Sequence, residues 1–197
     1  MQTMSTNDLY PIFTKPDQIH TLLVGGGNVA LEKLNSILSN SPNAKIKIVS
    51  PEIKKEILEL ASEKPDLQVI NRKFMDSDIE HQTLIICATN DHELHKHIYN
   101  LAAGENKLIN VADTPSLCTF YLSSIVQKGN LKIAISTNGK SPTLAKRLKE
   151  ILNDALPEEI DQVLHNLEMI RNKLKGDFTE KVKRMNEITE SMKSSKD

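Results

Sequence analysis

The sequence predicts an α/β protein with a Rossmann-type parallel sheet, followed by a small dimerisation β segment and a C-terminal helical region. Two observations lead to this prediction. Short runs rich in Ile, Val and Leu alternate with amphipathic stretches along the first half of the chain, and a glycine-rich loop at residues 25–30 follows the first run. Strands and helices in strict alternation form right-handed βαβ units around a parallel sheet.

The predicted strands are short apolar runs bounded by turn residues, which is typical of buried parallel strands. They cover residues 20–24, 45–49, 67–71, 83–88 and 108–111. Apolar residues recur at helical spacing between them, over residues 30–38, 53–61 and 92–103. We therefore expect residues 1–113 to form an NAD-binding Rossmann domain.

The pattern changes after Asp113. An apolar stretch at 118–126 and an alternating run at 131–136 flank residues 127–130, which predict a hairpin turn. Two strands alone are unstable in water, so we expect residues 114–141 to be a dimerisation segment that joins two copies of the chain.

The rest of the chain has a helical pattern. Ser141 and Pro142 suit an N-cap and a first helical residue. We expect residues 142–197 to form a C-terminal helical domain whose last dozen residues fray.

Composition is that of an ordinary soluble globular protein, with 39% hydrophobic and 26% charged residues and a net charge of −1. This charge provides no overall attraction to nucleic acid or membrane. No apolar run approaches the roughly 18 residues that span a bilayer, and the N-terminus lacks signal-peptide character, so we expect a cytoplasmic protein. Cys87 and Cys118 lie in apolar runs without a CxxC pair, and we interpret them as reduced core thiols.

The glycine-rich loop fits the pattern G-x-G-x-x-A. In a strand–loop–helix context, Gly25 allows the tight turn, Gly27 lets a pyrophosphate approach the backbone, and Ala30 keeps the helix close to the sheet. Free N–H groups at the helix N-terminus bind the phosphates. The alternative is a turn without a ligand, in which three adjacent glycines cost backbone entropy and add no packing.

An acidic residue for the adenosine ribose is expected near the end of the second strand. Glu52 follows that strand within two residues. The alternative is a solvated carboxylate at the start of a helix. No Arg follows directly, which favours NAD over NADP, whereas Lys54 and Lys55 keep NADP open.

Polar residues also follow the fourth and fifth strands, at the carboxyl edge where ligands bind in this fold. Thr89 and Asn90 are expected beside the nicotinamide half of the cofactor, although Asn90 and Asp91 also suit a helix cap. Asp113 is our candidate for the general base. Its alternative role is that of a turn residue.

Three histidines form the pattern H-x-x-H-x-H. His92 and His95 share a helix face, but no ligand completes a metal site except Glu93, which points elsewhere on the helix. We interpret His92, His95 and His97 as surface residues and predict no metal site.

Together these motifs resemble the precorrin-2 dehydrogenase family, which includes the N-terminal part of siroheme synthase. The resemblance runs from residue 10 to about residue 152. It is carried by YPIF at 10–13, VGGGNVA at 24–30 with Lys33, ATND at 88–91, NVAD at 110–113 with Phe120, AIS at 134–136 and GKSP at 139–142 with Leu144, Ala145 and Arg147. Two departures are Ser123, where the family usually has Pro, and Asn138, where it has Gly.

The resemblance implies a homodimer that oxidises precorrin-2 to sirohydrochlorin with NAD; some members also insert ferrous iron. The family's catalytic aspartate falls on Asp113. Its dinucleotide contacts fall on Asn28, Val29, Glu52 and Ile53.

The local charge agrees with a polycarboxylate substrate. Between residues 128 and 150 the chain has six Lys or Arg residues and Glu150 as the one acidic residue. We expect substrate-binding residues in this region, namely Thr137, Lys140, Ser141 and Arg147. The alternative is a solvated helix face, the usual environment of Lys and Arg.

Two other functions fit the glycine loop. One is a non-enzymatic NAD-sensing regulatory module, which needs no basic segment after the sheet. The other is a dehydrogenase that acts on a different small acid. The sequence leaves open whether the chain inserts iron and whether it passes its product to a partner enzyme.

Overall fold

The first part of the chain folds around one parallel sheet in the computed structural model, which describes residues 7–190. The strand order is β3-β2-β1-β4-β5. The strands are β1 His20–Val24, β2 Lys45–Ser50, β3 Leu67–Asn71, β4 Leu84–Cys87 and β5 Leu108–Val111. The helices between them are α1 Asn28–Asn40, α2 Lys55–Glu63 and α3 His92–Gly104. The predicted Rossmann-type fold is confirmed.

Apolar side chains fill both faces of this sheet because successive strand residues point to opposite sides. Leu22 and Leu23 are both fully buried, yet they belong to different core clusters. Ala30 and Leu34 of α1 pack in the cluster of Leu23, and Ile98 of α3 packs in that of Leu22. Helices therefore cover the two faces and leave the strand ends free to carry loops.

The chain divides into two compact units. The first extends to Ser123 and includes Ser136–Ser141, and the second comprises Ser124–Ile135 and the residues from Pro142 onward. The sequence predicts a cofactor-binding domain at residues 1–113, a dimerisation segment at 114–141 and a helical domain at 142–197. These three assignments stay predictions.

The second unit contains an antiparallel hairpin, β6 Ser124–Lys128 and β7 Leu131–Ile135. Three helices follow: α4 Pro142–Ala155, α5 Ile160–Lys173 and α6 Phe178–Thr189. The hairpin loop is short because Lys128 pairs with Leu131 and Gly129 adopts a φ of +54°. Asp161 of α5 accepts hydrogen bonds from the Asn130 backbone N–H at 2.7 Å and from Asn130 Nδ2 at 2.9 Å, which fasten the loop to the helix.

The structure corrects two expectations about the second half of the chain. The apolar stretch at 118–126 is not one long strand, because residues 119 and 120 bind β5 instead. Thr119 N–H donates to the Ile109 carbonyl at 2.8 Å, and Asn110 Nδ2 donates to the Phe120 carbonyl at 2.9 Å. Helix α6 lies within the predicted C-terminal helical region, but its residues 186–189, which were expected to fray, are helical. Residues 191–197 lie outside the described part of the chain.

Both cysteines are free thiols, as predicted from their apolar surroundings. Burial raises the pKa of Cys87 to about 12, and it also raises the pKa of Cys118. A thiol that stays protonated is a poor nucleophile, so neither is suited to covalent chemistry. Within residues 7–190, no helix has the length and apolar character needed to cross a membrane.

A buried carboxylate ties β2 to the chain after β3. Asp78 is 1% exposed and accepts two hydrogen bonds from Arg72, at 2.7 and 2.8 Å, and one from the Met75 N–H at 2.9 Å. Lys47 Nζ lies 2.9 Å from its Oδ1. Burial alone would raise the pKa of Asp78, but hydrogen bonds from Arg72, Lys47 and Met75 outweigh it and hold that pKa well below its usual range.

We expect Asp78→Asn to lower the free energy of unfolding at neutral pH by about 3 kcal/mol, because it leaves Lys47 and Arg72 without their counter-charge. The folded-state pKa is depressed, so this stabilisation is complete above the unfolded pKa of about 4 and is lost as the pH falls below it. Urea unfolding at neutral and acidic pH measures both effects. Asp76→Asn is the matched control, since Asp76 forms an exposed pair with His97. Equal stability of the two variants at neutral pH would contradict the expectation.

Candidate active site

The strand register brings four loops to one edge of the sheet. Val49, Val24, Cys87 and Val111 are the paired residues of one row across β2, β1, β4 and β5. The strand order reverses between β1 and β4, which is the position where this class of fold binds ligands. The residues that follow this row therefore form the candidate site.

The glycine loop after β1 has no room for a side chain at Gly25 and Gly26, but it has free space at Gly27. A Cβ on Gly25, whose φ is +126°, would lie 2.4 Å from the Ala88 carbonyl oxygen, and a Cβ on Gly26 would lie 2.2 Å from that of Glu52. A Cβ on Gly27 would meet nothing within 4 Å. Close packing thus requires the first two glycines, whereas the third leaves free space.

That free space suits a phosphate group. Gly27 is the N-cap of α1 and has no side chain to cap the helix. The first N–H groups of a helix lack intrahelical partners and carry the positive end of its dipole. Ala30 is fully buried, so α1 packs closely on the sheet as predicted. The loop fits the pyrophosphate of a dinucleotide.

The loop after β2 docks onto the glycine loop. The Lys54 backbone N–H donates to the Gly26 carbonyl at 2.9 Å, and Lys54 Nζ donates to Asn28 Oδ1 at 2.7 Å. Glu52 is exposed, and Ser50 Oγ donates to its backbone carbonyl at 2.7 Å. Helix α2 begins only at Lys55, so Glu52 lies in the loop and not in the first turn of the helix.

The loop after β4 places Thr89 next to the glycine loop. The Thr89 methyl carbon lies 3.4 Å from the position of a Cβ on Gly25, and Thr89 is half-buried. Asn90 is exposed. The cap of α3 is Asp91, which accepts a hydrogen bond from the Leu94 N–H at 3.0 Å.

One of the three histidines departs from the surface role that we inferred for it. His92 and His97 are exposed, but His95 is 2% exposed. The interpretation was wrong for His95 because it lies on the apolar stripe of α3 with Ile98 and Ala102. That spacing was visible in the sequence. Within residues 7–190, no group of three or more His, Cys, Asp or Glu side chains is arranged to hold a metal ion.

Asp113 is the second residue beyond the end of β5. The Ala112 N–H donates to the Cys87 carbonyl at 2.9 Å, which extends the β4–β5 pairing to the start of this loop. Asp113 is exposed and has a φ of +58°, a left-handed conformation that costs most non-glycine residues about 1–2 kcal/mol and that Asp and Asn adopt more readily. Such strained residues cluster at functional sites.

The predicted substrate residues lie in both units. In the first unit, Thr137 Oγ1 accepts the Ser141 N–H at 3.2 Å and lies 3.1 Å from the Ser141 carbonyl, while the Lys140 N–H donates to the Thr137 carbonyl at 3.0 Å. Asn138 adopts a φ of +53°, so it accommodates the conformation that a glycine would take. Arg147 belongs to the second unit, is exposed and pairs with Glu150 at 2.5 Å.

Comparison with known proteins places this architecture in a family. Residues 12–124 match the family model described as NAD(P)-binding, and residues 128–155 match the model of the sirohaem biosynthesis protein central region. The first match covers more than half of the chain. The chain belongs to the family of NAD(P)-binding sirohaem biosynthesis proteins that these two models describe. The resemblance inferred from the sequence motifs is therefore confirmed, together with a nicotinamide dinucleotide-binding fold.

Several members of this family resemble the chain along most of its length. It is 36% identical to the siroheme synthase of Pseudoalteromonas translucida over 85% of this chain and 35% of that protein. It is 35% identical to the siroheme synthase of Vesicomyosocius okutanii over 86% of this chain and 36% of that protein. The chain spans about a third of the length of these curated relatives. The solved structure of SirC, a precorrin-2 dehydrogenase, matches with a TM-score of 0.73 and 28% identity, covering 91% of this chain and 89% of that one.

Proposed function

We propose that this protein oxidises precorrin-2 to sirohydrochlorin with NAD as the oxidant, in siroheme biosynthesis in the cytoplasm. The observation that carries the proposal is the convergence of the open Gly27 position, Thr89 and Asp113 at one edge of the sheet. An anaerobic assay of precorrin-2 oxidation with NAD tests it.

In the proposed mechanism, each of these loops has a different role. The glycine loop and the first turn of α1 bind the pyrophosphate. NAD, when bound, supplies the hydride acceptor for the oxidation. Asp113 takes the accompanying proton on a carboxylate oxygen, which requires it to be ionised and accessible to the substrate. Thr137, Lys140, Ser141 and Arg147 are proposed to bind the carboxylates of the tetrapyrrole.

The choice of NAD over NADP rests on the charges beside the ribose position. Glu52 would accept hydrogen bonds from a ribose hydroxyl and would repel a 2′-phosphate. Lys54 favours the opposite choice, but its ammonium group already binds Asn28 Oδ1 and lies 3.4 Å from Glu56. Parallel titrations with NADH and NADPH test this choice, and tighter binding of NADPH would reverse it.

Iron insertion is a second proposed activity, which the resemblance suggests for some family members. Ferrous ion is a substrate in this reaction, and the absorption spectrum distinguishes siroheme from sirohydrochlorin. Addition of ferrous ion to the completed oxidation, with and without the protein, tests it.

The rival function, an NAD-sensing module, makes a different prediction. It requires dinucleotide binding without turnover of precorrin-2. The match of residues 128–155 to the sirohaem biosynthesis model favours the enzyme, because a sensor needs no such basic segment.

We expect the protein to sediment as a homodimer at micromolar concentration. Within the described residues, β6 and β7 pair only with each other, so neither outer edge has a strand partner in the single chain. Ala134 is exposed on β7, and Ala134→Lys should shift the equilibrium towards monomer. Ala103→Lys, on the exposed face of α3, is the matched control and should remain dimeric. A wild-type protein that sediments only as monomer would contradict the expectation.

A further inference from the structure

His95 makes a partly buried hydrogen bond to Thr89 of the candidate site, and the proposed mechanism does not use this bond. Its Nε2 lies 2.9 Å from Thr89 Oγ1, and the side chain is enclosed in the core side of α3. The ring meets that of His92 edge to face, with 6.0 Å between the centroids. An apolar residue at this position would complete the apolar stripe of α3 without burying a polar atom. A buried imidazole therefore indicates a role beyond packing.

The protonation of His95 limits the possible hydrogen bonds. Burial and the nearby His92 lower the pKa of His95, although Asp91 opposes this shift. The ring is therefore neutral at physiological pH, with one N–H and one acceptor nitrogen. Among the described residues, His95 Nδ1 is buried and has no hydrogen-bond partner.

The two tautomers differ in what they leave unsatisfied. With the proton on Nδ1, a buried N–H donor has no partner, a situation that folded proteins rarely tolerate. With the proton on Nε2, the N–H donates to Thr89 Oγ1 and only an acceptor nitrogen is left over. The Nε2–H tautomer is therefore favoured.

This tautomer determines the role of the Thr89 hydroxyl. Thr89 Oγ1 already accepts the Asp91 N–H at 3.2 Å. A hydroxyl oxygen has two acceptor lone pairs and one proton to donate. With Asp91 N–H and His95 Nε2–H directed at its oxygen, Thr89 has only its proton left to offer to a third group.

Thr89 is half-buried, and its methyl carbon lies beside Gly25 at the carboxyl edge of the sheet, so a group bound at this edge is the candidate acceptor for the hydroxyl proton. Building on the proposed function, we infer that His95 is a positioning residue that makes Thr89 a dedicated hydrogen-bond donor to an oxygen of the bound dinucleotide. His95 itself touches neither cofactor nor substrate. Its effect passes through the orientation of one hydroxyl group.

The first test needs no ligand. In protein labelled with ¹⁵N-histidine, nitrogen chemical shifts distinguish a protonated from an unprotonated ring nitrogen, and His95→Gln identifies the His95 signals. We expect the proton on Nε2. A proton on Nδ1 would overturn the positioning role whatever the protein binds.

The second test measures NADH affinity by fluorescence titration. Thr89→Val removes the hydroxyl and should weaken binding about 3- to 10-fold, the effect of one hydrogen bond. His95→Leu should weaken it by a similar factor. His95→Gln should restore most of the affinity, because a glutamine amide places an N–H donor near the Nε2 position. In the Thr89→Val background, His95→Leu should cause no further loss.

The controls separate this inference from a structural role and from the proposed function. His97→Gln lies on the exposed side of the same helix and should bind as wild type. If His95→Leu lowers the melting temperature but leaves the affinity unchanged, His95 is only a core residue. If wild-type protein binds neither NADH nor NADPH, the proposed function is wrong, and so is the inference that Thr89 donates to a dinucleotide. The tautomer measurement still shows whether His95 Nε2–H donates to Thr89.

Discussion

Replacing Asp113 with asparagine should lower precorrin-2 oxidation by about 100- to 10,000-fold, the usual effect of removing a positioned general base. Asparagine keeps the size of the side chain and tolerates the left-handed backbone at φ +58°. Dinucleotide affinity should stay nearly unchanged, because Asp113 follows β5 whereas the phosphates bind after β1. Steady-state rates and NADH titration measure the two effects separately.

Asp113→Ala and Asp113→Gly complete this experiment. Alanine adds backbone strain to the loss of the carboxylate, whereas glycine relieves the strain, so the three variants should differ in stability but share the same large loss of turnover. If Asp113→Asn turns over within a few-fold of wild type while Asp113→Ala is impaired, the aspartate serves the turn and the base lies elsewhere. Any iron insertion by the protein should also weaken, since the resemblance assigns both reactions to one pocket.

Replacing Gly27 with aspartate should abolish dinucleotide binding and leave the fold intact. A carboxylate at this position would repel the pyrophosphate and occupy its space. The protein itself should accept the change, because a Cβ on Gly27 meets no atom within 4 Å. Aspartate is moreover a favoured N-cap, so α1 should gain a few tenths of a kcal/mol. Stability and binding are thus expected to change in opposite directions.

Two further substitutions in the same loop separate charge from bulk. Gly27→Asn has nearly the same shape without the charge and should bind more tightly than Gly27→Asp. Gly26→Ala should instead destabilise the protein, because its Cβ would lie 2.2 Å from the Glu52 carbonyl oxygen. Thermal unfolding and NADH titration give the comparison. Wild-type affinity in Gly27→Asp would refute the assignment of the cofactor site.

The parallel sheet was predictable because its signal is local. Each strand is a short apolar run with clear boundaries, and β1, β3 and β5 begin and end at the predicted residues. The glycine loop was equally predictable, since G-x-G-x-x-A describes backbone requirements that Gly25 and Ala30 meet in the structure.

Long-range hydrogen bonds account for what the sequence did not predict. Residues 118–120 look like the start of a strand, but bonds from Thr119 and to Phe120 hold them at β5. No local sequence pattern predicts the buried ion pairs of Asp78, because its partners Lys47 and Arg72 come from other elements. Polar pairs that form only after folding leave little trace in local periodicity.

The loops that form the candidate site were predictable from the sequence, but the hydrogen bonds between their side chains were not. Motif order indicated that Gly27, Thr89 and Asp113 belong to one sheet edge. The bond between Thr89 and a buried His95 was not predicted, because an H-x-x-H-x-H pattern is more often a solvated helix face. The spacing of His95 with Ile98 and Ala102 was the available signal.

The most direct test of the proposed function is the stoichiometry of one anaerobic reaction. Purified protein is mixed with precorrin-2 and excess NAD in the absence of iron, and NADH and sirohydrochlorin are quantified in the same sample. We expect equimolar NADH and sirohydrochlorin, with neither formed by Gly27→Asp. NAD binding without formation of either product would contradict it and would favour the sensing module.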